Sequence, residues 1–176
     1  MTHMRGYFGI GSEGISKPRN MGTILRTAHA FGASFAFTIG SPLDEREVRK
    51  TDTSGSALHL PFYRWPDFDM GRFPDEVVLV GVELTDDAVP LPSFRHPLNA
   101  AYVLGPEKGS LSPEVQDACA HIVRIPTAFC INVGVAAALT LYDRSAMFGG
   151  HPPRPLVQKK RGQRGAKKMT GIGKNG

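Results

Sequence analysis

At 176 residues, 41% hydrophobic and 21% charged, the chain is long enough for one domain with its own core. No apolar run approaches the roughly 18–20 residues of a membrane span, so no membrane partner is expected. The net charge of +5 is uneven: eight basic and no acidic residues lie between Arg154 and Gly176, leaving 13 Lys and Arg against 16 Asp and Glu before them.

In chain order, Tyr7–Ile10 reads as a strand and Met21–Phe31 as a helix with Ile24, Leu25, Ala28 and Phe31 on one stripe. Asn20 is placed to cap that helix, Gly32 to end it, and Arg26 projects off the apolar stripe. Ser34–Ile39 is a strand, Glu45–Lys50 a short helix, Leu60–Trp65 an edge strand, and Val77–Val82 and Ala100–Leu104 are continuous apolar strands. Pro113–Ala120 is a helix with Ser112 as its cap, His121–Ile125 a strand, and Val133–Phe148 a helix headed by Asn132 and apolar almost all round. Apolar strands interleaved with helices predict an α/β fold, a mostly parallel sheet with helices on both faces. Residues 1–153 form one domain on this reading, and 154–176 a basic, disordered tail. Such a tail binds polyanions by counterion release, or serves only as a solubilising terminus.

Gly9-Ile10-Gly11-Ser12-Glu13-Gly14 matches the dinucleotide fingerprint G-x-G-x-x-G. The fingerprint needs its last glycine at a helix start and an acid about 20 residues on. Lys17-Pro18-Arg19-Asn20 intervenes and Ser34–Ile39 holds no acid, so these glycines read as a flexible loop before the first helix. Gly105-Pro-Glu-Lys-Gly-Ser lacks the order of a phosphate loop. Cys119 and Cys130 have neither a disulfide framework nor a metal-ligand spacing, and the first residues lack the apolar stretch of a signal peptide. A reducing, cytoplasmic setting and no metal are expected.

Three blocks carry a resemblance. Asn20-Met-Gly-Thr-Ile-Leu-Arg-Thr-Ala with Phe31-Gly-Ala resembles the first motif of SpoU/TrmH-type RNA methyltransferases. Gly105-Pro-Glu-Lys-Gly-Ser-Leu-Ser is similar to the second, and Ile125-Pro-Thr, then Cys130-Ile-Asn-Val-Gly-Val-Ala-Ala-Ala-Leu and Tyr142, to the third. The resemblance covers residues 20 to about 144 and points to the ribose 2′-O-methylating branch of the SPOUT superfamily. It implies a C-terminal trefoil knot, S-adenosylmethionine as cofactor, RNA (tRNA or rRNA) as substrate, and a homodimer whose subunits share the active site. Cofactor contacts fall by resemblance on Leu84, Gly105, Ile125, Cys130, Ile131 and Asn132. Arg26, Asn20, Glu107 and Asn132 are the catalytic candidates. A guanidinium stays protonated in proteins, so Arg26 is assigned to phosphate anchoring and to stabilising developing negative charge. Two positions depart from the family: Cys130 stands where serine is common, and Gly134 where another small polar residue is common. They sustain an alternative, an RNA-binding protein on this scaffold with catalysis lost. Methylation of a base rather than a ribose fits the blocks less well.

Overall fold

The computed structural model describes residues 6–52 and 55–149. The basic segment 154–176 and the first five residues lie outside that range. Among the described residues the elements run β1 (Phe8–Glu13), α1 (Pro18–Ala30), β2 (Phe35–Ile39), α2 (Glu45–Thr51), β3 (Phe62–Trp65), β4 (Val78–Val82) and β5 (Val89–Pro90). They continue with β6 (Ala100–Leu104), α3 (Pro113–Ala118), β7 (His121–Arg124) and α4 (Val133–Met147). The seven strands form one sheet in the order β3-β2-β1-β6-β4-β7-β5, and every pairing is parallel. Parallel neighbours need crossover connections, which is why helices cover the faces and the inner strands are apolar on both sides.

Alternation along the strands sorts the core into two layers. Phe8, Ile10, Ala36, Val80 and Tyr102 point to one face, against Ile24, Leu25 and Ala28 of α1 and Ala137 and Leu141 of α4. Phe35, Phe37, Leu79, Ala101 and Val103 point to the other, against Phe73 and Val115 of α3. Ile10, Ile24, Leu25 and Leu141 are all at most 1% exposed. Burying each contributes about 1.5–3 kcal/mol.

Three expectations need correction. Gly9 and Gly11 are not in a loop but inside β1, which runs on to Glu13. A Cβ on either would come within 2.3 Å of the Phe35 ring or the Phe37 backbone. These glycines let aromatic side chains of the neighbouring strand lie over β1, a packing role that the dinucleotide pattern imitates. Helix α1 begins at Pro18 rather than Met21, because proline is preset for the first helical turn. Asn20 therefore sits inside the first turn and is no cap, and the capping position, Lys17, makes no side-chain cap bond. The two-residue β5 was not foreseen, being too short for any periodicity. Gly32 does follow the end of α1, in the left-handed region at φ +69°.

A buried polar chain fastens the end of α4 to the sheet. Arg144 donates to the carbonyls of Pro97 and Leu98 at 2.6 Å each and to the Tyr102 hydroxyl at 3.1 Å. Its guanidinium lies 4.5 Å from the centre of the Phe8 ring and 4.7 Å from that of Phe148. The Tyr102 hydroxyl is 2.7 Å from Nδ1 of His96, whose Nε2 is 3.0 Å from Asp143. With a neutral imidazole every partner is matched: Tyr102 donates to Nδ1, and Nε2–H donates to Asp143. Burial lowers the His96 pKa below its ordinary 6.5 despite the pull of Asp143, with the nearby Arg144 adding to the lowering. The unfolded chain thus takes up a proton that the folded site resists. Stability should be fully present above about pH 6.5 and fall as the pH drops through the lowered value. Urea midpoints measured from pH 8 to pH 5 check this, and His96→Gln should flatten the acid side of the curve.

Candidate active site

Because the strands are parallel, β1, β4, β6 and β7 all end on the same side, where open α/β sheets bind ligands. The connections after β4, β6 and β7 converge there with the entrance to α1 around a cleft of about 410 Å³. All six residues expected to contact a cofactor line it: Leu84, Gly105, Ile125, Cys130, Ile131 and Asn132. Asn20 and Glu107 line it too, whereas Arg26 does not. A second cleft, of about 430 Å³ between α2 and residues 57–64, contains none of the expected residues and touches a single strand, β3. Size alone does not separate the two; the convergence of strand ends does.

A chain of hydrogen bonds joins the three blocks. The Glu107 carboxylate accepts from the Ser16 N–H at 3.0 Å, the Ser16 hydroxyl at 3.1 Å, the Lys17 N–H at 2.9 Å and the Asn20 amide at 2.9 Å. Asn20 in turn accepts from the Asn132 amide at 3.0 Å. Asn132 caps α4, its Oδ1 accepting from the N–H groups of Gly134 at 2.8 Å and Val135 at 3.3 Å. The amide orientations are thereby assigned by the network: each Nδ2 faces an acceptor and each Oδ1 a donor. Partial burial works against the charge on Glu107, but the donors from Ser16, Asn20 and Lys17 outweigh it and hold its pKa below the ordinary carboxylate value. Glu107 is thus an anchor kept ionised at neutral pH, with its lone pairs turned toward the entrance of α1.

Two further carboxylates suspend the segment after β6. Glu83 accepts from Leu111 and Glu13 from Ser112, through backbone N–H groups at 2.9 and 2.7 Å. Sequence reasoning missed both. The available signal was an acid directly after, or closing, an apolar strand, at the end of the sheet that binds ligands. Cys130 is exposed within the cleft rather than packed in a core, whereas burial pushes the Cys119 thiol up to about 12. Arg26 is exposed on α1, one turn past Thr23.

The departure at Gly134 has a steric cause. A Cβ there would lie 2.7 Å from Cγ2 and 2.9 Å from Cβ of Thr23. Thr23 fills the space that a side chain on α4 would occupy. Gly134→Ser should therefore destabilise by about 1–3 kcal/mol through overpacking. Thr23→Ala in the same chain removes the Cγ2 contact but keeps the Cβ one, so it should recover part of the loss and Thr23→Gly more of it, a coupling that chemical denaturation of the double-mutant cycle measures.

Helix α4 is not apolar all round in its packing. Val135 and Tyr142 are 49% and 47% exposed and Leu139 40%, while Ala137 and Leu141 face the core. Phe129, beside the cleft residue Cys130, is 77% exposed. No group of three or more His, Cys, Asp or Glu side chains among the described residues could hold a metal. No helix among them is long and apolar enough to cross a membrane.

The profile of the SpoU rRNA Methylase family matches residues 8–142. The chain is 30% identical over 146 residues to an uncharacterized tRNA/rRNA methyltransferase of Synechocystis sp., covering 74% of this chain and 36% of that one. It is 29% identical over 146 residues to the 23S rRNA (guanosine-2′-O-)-methyltransferase RlmB of Acinetobacter baylyi, covering 76% and 57%. In structure it resembles the SpoU methyltransferase AviRb from Streptomyces viridochromogenes, with a TM-score of 0.71 and 26% identity over 82% of this chain and 61% of that one. The same enzyme in complex with the cofactor AdoMet matches with a TM-score of 0.70 and 25% identity, over 81% and 58%. The chain thus spans about a third to three-fifths of these relatives.

Proposed function

Because the chain belongs to the SpoU rRNA methylase family, we propose that it transfers a methyl group from S-adenosylmethionine to the 2′-hydroxyl of a ribose in tRNA or rRNA. The observation that carries the reading is the cleft itself: residues of all three blocks line one cavity and are tied together through Glu107, Asn20 and Asn132.

The residues present fit the cofactor. Gly105 leaves open a wall that a Cβ would close, standing 3.0 Å from a Glu83 oxygen, and Leu84, Ile125 and Ile131 offer apolar contact beside backbone amides and carbonyls. Those residues, with Cys130 and Asn132, would hold it. When bound, it supplies a methyl group already activated on a sulfonium. The chain's own task is then orientation and help with the hydroxyl proton. Glu107, Asn20 and Asn132 fix the loops to one another, so their part is positioning. Arg26, away from the cleft in its own subunit, anchors an RNA phosphate and stabilises developing negative charge.

We further read the protein as a homodimer. The exposed apolar strip Val135, Leu139 and Tyr142 on α4 supports this, as does Thr23 against Gly134, which sets Arg26 one turn farther along beside that helix. A second copy on this face would bring its arginine toward its neighbour's cleft. A C-terminal trefoil knot is part of the same reading. Its support is that β7 lies between β4 and β5, so residues 83–88 cross past the end of β7 at the level of Val123. Residues 1–153 would be the catalytic domain and the basic residues from Arg154 to Lys174 an electrostatic grip on RNA, in the cytoplasm, where Cys119 and Cys130 stay free thiols.

The test is incubation with methyl-labelled S-adenosylmethionine and cellular RNA. Label in RNA is the expected result. Cofactor binding with no transfer to any RNA would select the alternative, an RNA-binding scaffold with catalysis lost.

A further inference from the structure

The cleft wall carries a carboxylate that the reading above leaves without a part in cofactor choice. Glu83 stands one residue past the end of β4 and lines the cleft. Its Oε1 accepts from the Leu84 N–H and its Oε2 from the Leu111 N–H, each at 2.9 Å. The absence of a side chain at Gly105 lets this carboxylate lie close against the start of the segment after β6. Among the described residues, no Lys, Arg or His nitrogen pairs with it. The cleft's other carboxylate, Glu107, is occupied by donors from the entrance of α1. Lys17 is the one cationic side chain among the described lining residues. Two carboxylates to one ammonium make a wall that favours positive charge, and of the two only Glu83 is held by backbone donors alone.

We infer that Glu83 makes this cleft prefer the cationic, methyl-bearing cofactor over its spent form. The inference rests on the cofactor reading above. S-adenosylmethionine carries a positive sulfonium, and S-adenosylhomocysteine, left after methyl transfer, has a neutral thioether in its place. The two differ by one methyl group and one unit of charge. A carboxylate in a partly desolvated wall distinguishes them by Coulomb attraction, and because its backbone donors already hold it in place it need not reorganise to do so. Glu83 is then a specificity residue: it strengthens binding of the charged cofactor and eases release of the uncharged product.

Calorimetric titration of the full chain tests this with three ligands: S-adenosylmethionine, S-adenosylhomocysteine, and an analogue bearing an ammonium in place of the sulfonium. Glu83→Gln should weaken binding of both cationic ligands by about five- to tenfold and change that of S-adenosylhomocysteine by less than about twofold. Glu83→Asp, which keeps the charge, should keep the wild-type order of preference. Equal weakening of all three ligands by Glu83→Gln would reduce the residue to a loop support and overturn the inference, as would unchanged ratios. Should the variants fail to fold, the wild-type protein still decides. Its preference for the cationic ligands must shrink between about 0.05 and 0.5 M salt, and a salt-independent preference overturns the inference. Wild-type protein that binds none of the three at millimolar concentration would remove the cofactor reading itself, and this inference with it.

Discussion

Arg26→Ala is expected to lower methyl transfer to RNA by about a thousandfold and to leave the dissociation constant for S-adenosylmethionine within about twofold of wild type. The split follows from where the residue stands. Arg26 is six residues past Asn20 on α1, about 9 Å along the axis and about 120° around it, so the two side chains leave the helix in different directions. Asn20 lines the cleft and Arg26 does not. Removing the guanidinium therefore takes away none of the residues that line the cleft. What it removes is a positive charge on the exposed side of α1. Lysine should rescue only in part, since it keeps the charge but not the planar fork that grips a phosphate. Single-turnover kinetics with labelled cofactor, set beside cofactor titrations, check the result. A variant that turns over like wild type would leave Arg26 as a solvent-facing helix residue.

Glu107→Ala acts in the opposite way, on the site's architecture first. It deprives the N–H groups of Ser16 and Lys17 and the amide of Asn20 of their shared acceptor. We expect a loss of about 2–3 kcal/mol in stability, limited by water reaching the exposed Ser16 and Lys17 donors, and at least about tenfold weaker cofactor binding. Asn20 would then be free to rotate, and with it the amide of Asn132 that it orients. Glu107→Gln keeps one accepting oxygen and should fall between. The carboxylate's lowered pKa gives the matching pH effect. Its contribution is present above the ordinary carboxylate value of about 4.5 and is lost as the pH falls through the lower folded value. Urea unfolding and calorimetry measure both quantities. A Glu107→Ala protein that binds cofactor like wild type would show that the hydrogen-bonded chain does not hold the cleft open.

Much of the cleft is legible in the sequence. The six positions expected to contact a cofactor lie in connections that follow apolar strands or, at Asn132, head a helix, so their local pattern already marks where a parallel sheet binds ligands. The Asn132 cap and the Ser112 cap were readable for the same local reason. What escaped was set by partners far away in sequence. Asn20 looks like a helix cap until Pro18 starts the helix and Glu107, 87 residues on, takes its amide. Gly9 and Gly11 imitate a nucleotide loop because nothing near them in sequence reveals Phe35 and Phe37 above them. Glu83 is one acid among 16 acidic residues until Leu111 donates to it. His96, Tyr102 and Arg144 belong to separate elements, and no periodicity joins them. Fold class follows from patterns that repeat locally, whereas the polar joints that tie one element to another have no such period.

The proposed ribose 2′-O-methyl transfer is run from the cleft that the three blocks share. Its most direct test is the chemical identity of the product. RNA methylated by the purified protein with labelled S-adenosylmethionine is digested to nucleosides, and the labelled species is separated and identified by mass. A single class of 2′-O-methylnucleoside is expected, with the mass increment on the sugar and an unmodified base. Label on a base, or no labelled nucleoside from any RNA, would contradict it.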